Sequence, residues 1–263
     1  DFALNSAHGD DVWLLEARPD GTLIRFADHV TFGATRAGES LGRWPNGTGE
    51  LYPMVSPTFD PIQGRNSGPR VGPLVISEIQ YHPKSDAPDD LEYVEVYNPT
   101  PETVDLTHWR LAGGVDFDFP AATQLAPRSA LVVVPFSTND ASKLAAFRQF
   151  YGIDGSVQVV GGFTGALSDV GETVRLERPD TPPPDELNFV PHVLEDEVAY
   201  SAAWIASTNG GGPSLNRLGP GLWGNDSADW GAAQPTPGSV SFAPTAQVVG
   251  RYIFYNHSLF DGY

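Results

Sequence analysis

One pentapeptide, Gly38-Glu39-Ser40-Leu41-Gly42, has the spacing of a hydrolase nucleophile elbow. That chemistry needs a buried strand before the serine and a helix after it, so that the hydroxyl stands out on a sharp turn. Here Arg43-Trp44-Pro45-Asn46-Gly47 follows, and proline and glycine make a poor helix start. The expectation is a turn before an edge strand. The histidines are His8, His29, His82, His108, His192 and His257, with no H-E-x-x-H and no pair at metal-ligand spacing. His82, next to Pro83, is expected to make a structural hydrogen bond. Glu92 and Glu95 lie in the strongest strand candidate, where alternation puts them on opposite faces. They are therefore a poor acid/base pair, because glycoside hydrolysis needs two carboxyls about 5–10 Å apart across one cleft. The chain has no cysteine, which removes disulfides, zinc–thiolate sites and thiol nucleophiles. No catalytic and no cofactor-binding residue is expected.

Carboxylates in loops suit a hard cation better. Asp86, Asp89 and Asp90 fall within one turn-rich loop, and calcium takes several oxygen ligands close together. They are the candidate calcium ligands, weighed against the commoner case of solvated loop carboxylates. Asn225, Asp226 and Asp229 form a thinner cluster, and neither group has EF-hand spacing. The six tryptophans, Trp13, Trp44, Trp109, Trp204, Trp223 and Trp230, can include an exposed sugar-binding platform. Core and inter-domain packing is the expected use of most of them. Three Asn-x-Ser/Thr sequons, at Asn46, Asn225 and Asn256, are read as incidental.

Charge narrows the partners. Lys+Arg 15 against Asp+Glu 33 gives a formal net charge of −18, which repels nucleic acid and anionic membranes. No apolar run approaches the length of a membrane-spanning helix. With no starting Met and no signal peptide, the 263 residues are expected to be mature, trimmed or part of a longer chain.

The elements that must position these residues repeat themselves. Leu4-Asn5-Ser6, Gly9 to Glu16 and Arg18-Pro19-Asp20 are echoed by Leu167-Ser168, Gly171 to Glu177 and Arg178-Pro179-Asp180. Glu39 to Arg43 is echoed by Pro213 to Arg217, and Ser56-Pro57-Thr58-Phe59 by Gln234-Pro235-Thr236-Pro237. A repeat in fixed order implies tandem copies of one domain type. Expected boundaries are residues 1–66 as the C-terminal part of one domain, 72–240 as a complete domain, and 241–263 as the start of a further β domain. Gly 28 and Pro 24 favour short strands and turns. Leu74 to Tyr81, Leu91 to Tyr97 and Leu131 to Val134 are β-rich, the last a continuous apolar run suited to burial on both faces. Val115, Phe117 and Phe119 share one strand face, with Asp116 and Asp118 on the other. One helix is expected near 140–151, capped by Asn139 or Asp140, with Leu144, Phe147 and Tyr151 on one side and Gly152 as the stop. The sum is an all-β sandwich with one short helix.

The ordered series Val75-Ile76-Ser77-Glu78-Ile79, Tyr81-His82-Pro83, Glu92 to Asn98, Val104-Asp105-Leu106, Trp109-Arg110-Leu111, Phe117-Asp118-Phe119-Pro120, Leu125-Ala126-Pro127 and Leu131 to Val134 resembles the bacterial lamin tail domain. The later Leu167 to Glu172 continues the series. The resemblance covers roughly residues 72 to 240, with a partial copy at 1–66; insertions at 178–186 and 206–214 depart from it. It implies an Ig-like β-sandwich, found in tandem in large secreted or surface proteins, with Val94 and Val96 in the core and Trp109 between the sheets. The function it implies is non-catalytic: a structural or interaction segment of an extracellular or cell-surface protein. Its partners would be proteins engaged through sheet edges or neighbouring domains. Alternatives are an accessory module of a secreted hydrolase, or a calcium- or carbohydrate-binding module.

Overall fold

The structure is a computed structural model that describes residues 3–59, 64–84 and 89–242. The further β domain expected at 241–263 lies almost wholly outside the described residues. Four strands come first: β1 (Asp10–Ala17), β2 (Leu23–Phe32), β3 (Leu41–Trp44) and β4 (Glu50–Pro53). They form two separate two-stranded sheets.

The rest builds a sandwich from β5 (Val75–Gln80), β6 (Tyr93–Tyr97), β7 (Val104–Asp105), β8 (Arg110–Gly113), β9 (Val115–Asp118), β10 (Gln124–Leu125) and β11 (Ala130–Val134). A helix, α1 (Ala141–Tyr151), is followed by β12 (Gln158–Gly161), β13 (Thr164–Gly165), β14 (Gly171–Pro179), β15 (His192–Ser201), β16 (Ser214–Arg217) and β17 (Trp230–Ala233). One sheet has the order β12-β11-β6-β5-β16-β17 and the other β13-β9-β8-β14-β15. The apolar run at β11 is buried at every position, as expected for a strand with packing on both faces. Leu131 and Val133 point into the inter-sheet core with Val94, Val96, Trp109, Leu111, Phe117, Val174, Leu176 and Trp230. Val132 and Val134 point outward, beneath the helix, with Tyr93 and Phe147.

The helix forms where its local signals agree. Asp140 accepts hydrogen bonds from the Ser142 and Lys143 amides, and Gly152 closes the C-terminus at φ 66°, a left-handed conformation that glycine adopts without strain. Its apolar side, Leu144, Phe147 and Tyr151, packs on the outer face of the six-stranded sheet.

One irregularity decides which side chains reach which layer. β5 pairs with β6 through a register shift between Ile76 and Glu78, so Ser77 is an extra residue, a β-bulge. Before it, Leu74 and Ile76 face the core; after it, Ile79 and Tyr81 do. Strict alternation would instead have placed Glu78 and Gln80 in the core. Both are buried on the outer face.

The N-terminal strands pack against the sandwich through aromatic and charged contacts. Trp223 meets Trp44 at 6.4 Å and Tyr52 at 5.3 Å between ring centroids, both edge to face. Arg70 bonds Glu39 at 2.5 Å and the Leu194 carbonyl at 2.6 Å. Two of the six tryptophans, Trp44 and Trp223, are thus used in packing the N-terminal strands against the sandwich.

Candidate interaction site on the repeated hairpin

The two hairpins β1–β2 and β14–β15 have the same construction. Val12 pairs with Val30, Trp13 with His29 and Leu14 with Asp28; one residue is then skipped and Leu15 pairs with Phe26. In the sandwich, Val174 pairs with Val198, Arg175 with Glu197 and Leu176 with Asp196; one residue is skipped and Glu177 pairs with Leu194. The bulge sits at the same step in both, and the following strands also correspond. Arg43 of β3 donates to Asp28 at 3.3 Å; Arg217 of β16 grips Asp196 with two nitrogens, Nη2 to Oδ1 at 3.0 Å.

The sandwich shows what this pair does. The Asp196 carboxylate accepts the Ile76 amide at 2.8 Å, and Arg217 donates to the Ile76 carbonyl at 3.0 Å. Acid and base thus hold both backbone groups of one residue in the facing strand β5. Arg217 and Asp196 are buried, and each is neutralised by the other, the condition under which burial of charge is tolerated. A second carboxylate, Glu195, accepts the Leu74 amide at 3.1 Å. Ala27 takes its place in the first hairpin.

Exposure separates the two hairpins. Val174 and Leu176 are 0% exposed, whereas Val12 and Leu14 at the same positions are 38% and 62% exposed. Leu15, Leu23, Ile24 and Phe26 are exposed as well. Together these side chains form an exposed apolar patch, the kind of feature by which interaction surfaces differ from scattered apolar residues. Trp13 is the exposed aromatic among the tryptophans, 52% exposed and stacked on His29 at 3.6 Å. A groove of about 790 Å³ runs between β2–β4 and the outer face of β14–β15, lined by both charges, among them Arg43, Arg175, Glu50 and Glu197.

Ser40 ends a turn and leads into β3; its carbonyl accepts the Met54 amide at 2.8 Å. The helix that a nucleophile elbow requires is replaced there by a strand. His82 hydrogen-bonds Asn209 at 2.5 Å, the structural role expected of it. Glu92 and Glu95 are separated as alternation predicts: Glu92 accepts the Leu167 amide at 3.0 Å, and Glu95 the Gly238 amide at 2.7 Å on the outer face. Of the candidate calcium ligands, Asp86 lies outside the described residues and Asp89 falls in a short 3-10 turn, Asp89–Leu91. Asp90 is held by the Lys143 ammonium at 3.0 Å. Among the described residues, no group of three or more His, Asp or Glu side chains is placed to hold a metal ion.

The carboxylate pair that does form is Glu78 with Glu95. The bulge at Ser77 brings them opposite each other on β5 and β6. Glu78 accepts the Ser214 hydroxyl and, at 3.2 Å, the Thr236 amide. Glu95 accepts the Ser77 hydroxyl at 2.6 Å as well as Gly238. Both are buried. Burial raises Glu78, and burial followed by the charge of Glu78 pushes Glu95 up to about 8. The pair lies under residues 234–239 and is enclosed, so it acts as a latch for that segment, with no route for a substrate. The latch needs glycine at 238, where φ is 87° and a Cβ would meet Val157 at 2.3 Å.

The strand clamp was only half visible in the sequence. The Arg43–Arg217 echo marked its basic half. The acidic half was marked by Asp-x-Val at Asp28 and Asp196, which repeats in the same order but is too short to stand out.

No curated protein and no solved structure matches the chain. Residues 68–180, spanning β5 to β14, match the family model of the Lamin Tail Domain. Over those residues, with two facing sheets, a buried Trp109 and one helix on the outer face, the chain is similar to the lamin tail domain family.

Proposed function

We propose that this chain is a non-catalytic structural and interaction segment of a large extracellular or cell-surface bacterial protein built from tandem lamin-tail-like domains. The lamin tail domain is a structural, non-catalytic Ig-like fold. The observation that carries the tandem reading is the shared register, bulge and Arg–Asp pair of β1–β3 and β14–β16. Residues 1–66 are then the C-terminal part of another lamin-tail-like domain. The charge of −18 fits a role in solution away from nucleic acid and anionic membranes. Partners are proteins that meet sheet edges or neighbouring units.

Two measurements test this. Protease treatment of intact cells should release fragments containing this sequence, and the native protein should have a mass well above 28.2 kDa. A native mass near that value, in a protease-protected fraction, would remove both the tandem and the surface reading. A catalytic domain in the same native chain would turn the segment into an accessory module of an enzyme. Carbohydrate binding is a second reading, favoured by the exposed Trp13 ring; a glycan array comparing the chain with Trp13→Ala tests it.

A further inference from the structure

We propose that the segment 64–73 is a rigid joint locked by Arg70, so that the N-terminal strands and the sandwich form one body and the direction in which the chain enters the sandwich is fixed. It rests on the reading of residues 1–66 as the C-terminal part of another domain, and adds how that part is held.

By composition the segment is a tether. Gly64, Gly68 and Gly72 alternate with Ser67, Pro69 and Pro73, and glycine- and serine-rich linkers are flexible. Units joined in that way move relative to each other by default. Here the backbone is bonded to the N-terminal strands instead. The Val55 amide donates to the Gly68 carbonyl at 3.0 Å and the Arg70 amide to the Pro53 carbonyl at 2.7 Å, with Met54 bridged to Pro69 between them. Asn66 donates to the Arg43 carbonyl at 2.9 Å.

The Arg70 side chain belongs to the other body. Its guanidinium bonds Glu39 at one end and the Leu194 carbonyl of β15 at the other. It also lies 3.7 Å from Glu195, which meets Arg178 at 3.2 Å and accepts the Leu74 amide just past the joint. The Glu39 and Glu195 side chains are only 8% and 0% exposed, so Arg70 neutralises carboxylates from both bodies where water cannot.

Two further anchors flank this staple. Asn225 donates to the Tyr52 hydroxyl at 3.2 Å and accepts the Ala199 amide at 2.6 Å, beside the Trp44–Trp223 contact. At the far end His8 bonds Glu186 at 2.9 Å and stacks on Phe189 at 4.1 Å. The insertion at 178–186, which departs from the lamin-tail pattern, thus supplies a partner for the N-terminal unit. Contacts at Glu186, Leu194 and Ala199 are spread along the β15 arm and resist tilting as well as sliding.

Residual dipolar couplings of the full chain in one alignment medium test the joint. One alignment tensor is expected to fit the amides of β1–β4 and of β5–β17 together. Arg70→Gln should split it into two, with smaller couplings in the N-terminal strands. Should that variant fail to fold, Glu39→Gln removes only the N-terminal end of the staple and should split the tensor in the same way. Two tensors in the unmodified chain, or a single tensor kept by a folded staple variant, would overturn the proposal. Cross-strand proton contacts between Val12 and Val30 and between Leu14 and Asp28 report the hairpin register separately. Two tensors with that register intact sink only the joint. A lost register sinks the reading of residues 1–66 itself.

Discussion

Glu78 and Glu95 face each other from adjacent strands, both buried, and together hold the backbone of residues 236–238. Two carboxylates so placed cannot both ionise without cost, and they titrate as a pair.

A pH dependence follows with a definite sign. Glu95 is raised from 4.5 to about 8, and Glu78 and Glu195 are raised in the same direction by burial. The folded state therefore keeps a proton that the unfolded chain has released. Stability is full below the unfolded value near 4.5 and falls as pH rises towards 8. Each pH unit costs about 1.4 kcal/mol per retained proton, a few kcal/mol in all. Exposed carboxylates with lowered values, such as Asp105 and Asp140, act below this window. Urea midpoints from pH 5 to 8 should fall, and Glu95→Gln should flatten the slope. A midpoint rising over that range would refute the latch.

Trp109 is 7% exposed, in the core between the sheets. Trp109→Ala should cost about 3–5 kcal/mol, the usual price of truncating a buried aromatic. A urea melt matching wild type would contradict the packing.

The two Arg–Asp pairs should differ sharply in worth. Arg217→Ala leaves a buried Asp196 without its cation and should destabilise by about 3–5 kcal/mol. Arg43→Ala acts at an exposed pair and should cost less than about 1 kcal/mol. Equal losses in thermal melts would contradict the difference in burial between the two pairs.

Ser40 precedes a strand, so it lacks the strand–turn–helix setting that presents the hydroxyl of a nucleophile elbow. Esterase, protease and glycosidase substrates should be left intact by the chain and by Ser40→Ala alike. Turnover lost on that single change would move the segment into the hydrolases.

Calcium at Asp86, Asp89 and Asp90, proposed from the sequence, has to compete with Lys143, which already pairs with Asp90. A dissociation constant of about 1 mM or weaker is expected, the weak end for extracellular modules. Lys143→Ala should tighten it. Absence of calorimetric heat with both proteins would retire these ligands.

Much of the fold was legible because local signals agree with burial. The β11 run, the Val115–Phe117–Phe119 face and the capped helix were each announced by their own residues, and each lies where its pattern says. The glutamate pair was not legible. Alternation along β5 assigns Glu78 to the core face, and only the bulge at Ser77 reverses it; a bulge changes parity without any signal in composition. The clamp was obscure for another reason. Asp28 and Arg43, like Asp196 and Arg217, come from different strands, and their meeting is a property of the fold.

Ser77 also fixes the chain's tolerance to length. Removing that one residue would leave Glu78 directly after Ile76, in the same register against Glu95 and on the same outer face, with Ile79 and Tyr81 still in the core. The deletion would take from the latch the Ser77 hydroxyl that donates to Glu95, so at this step β5 tolerates a chain one residue shorter.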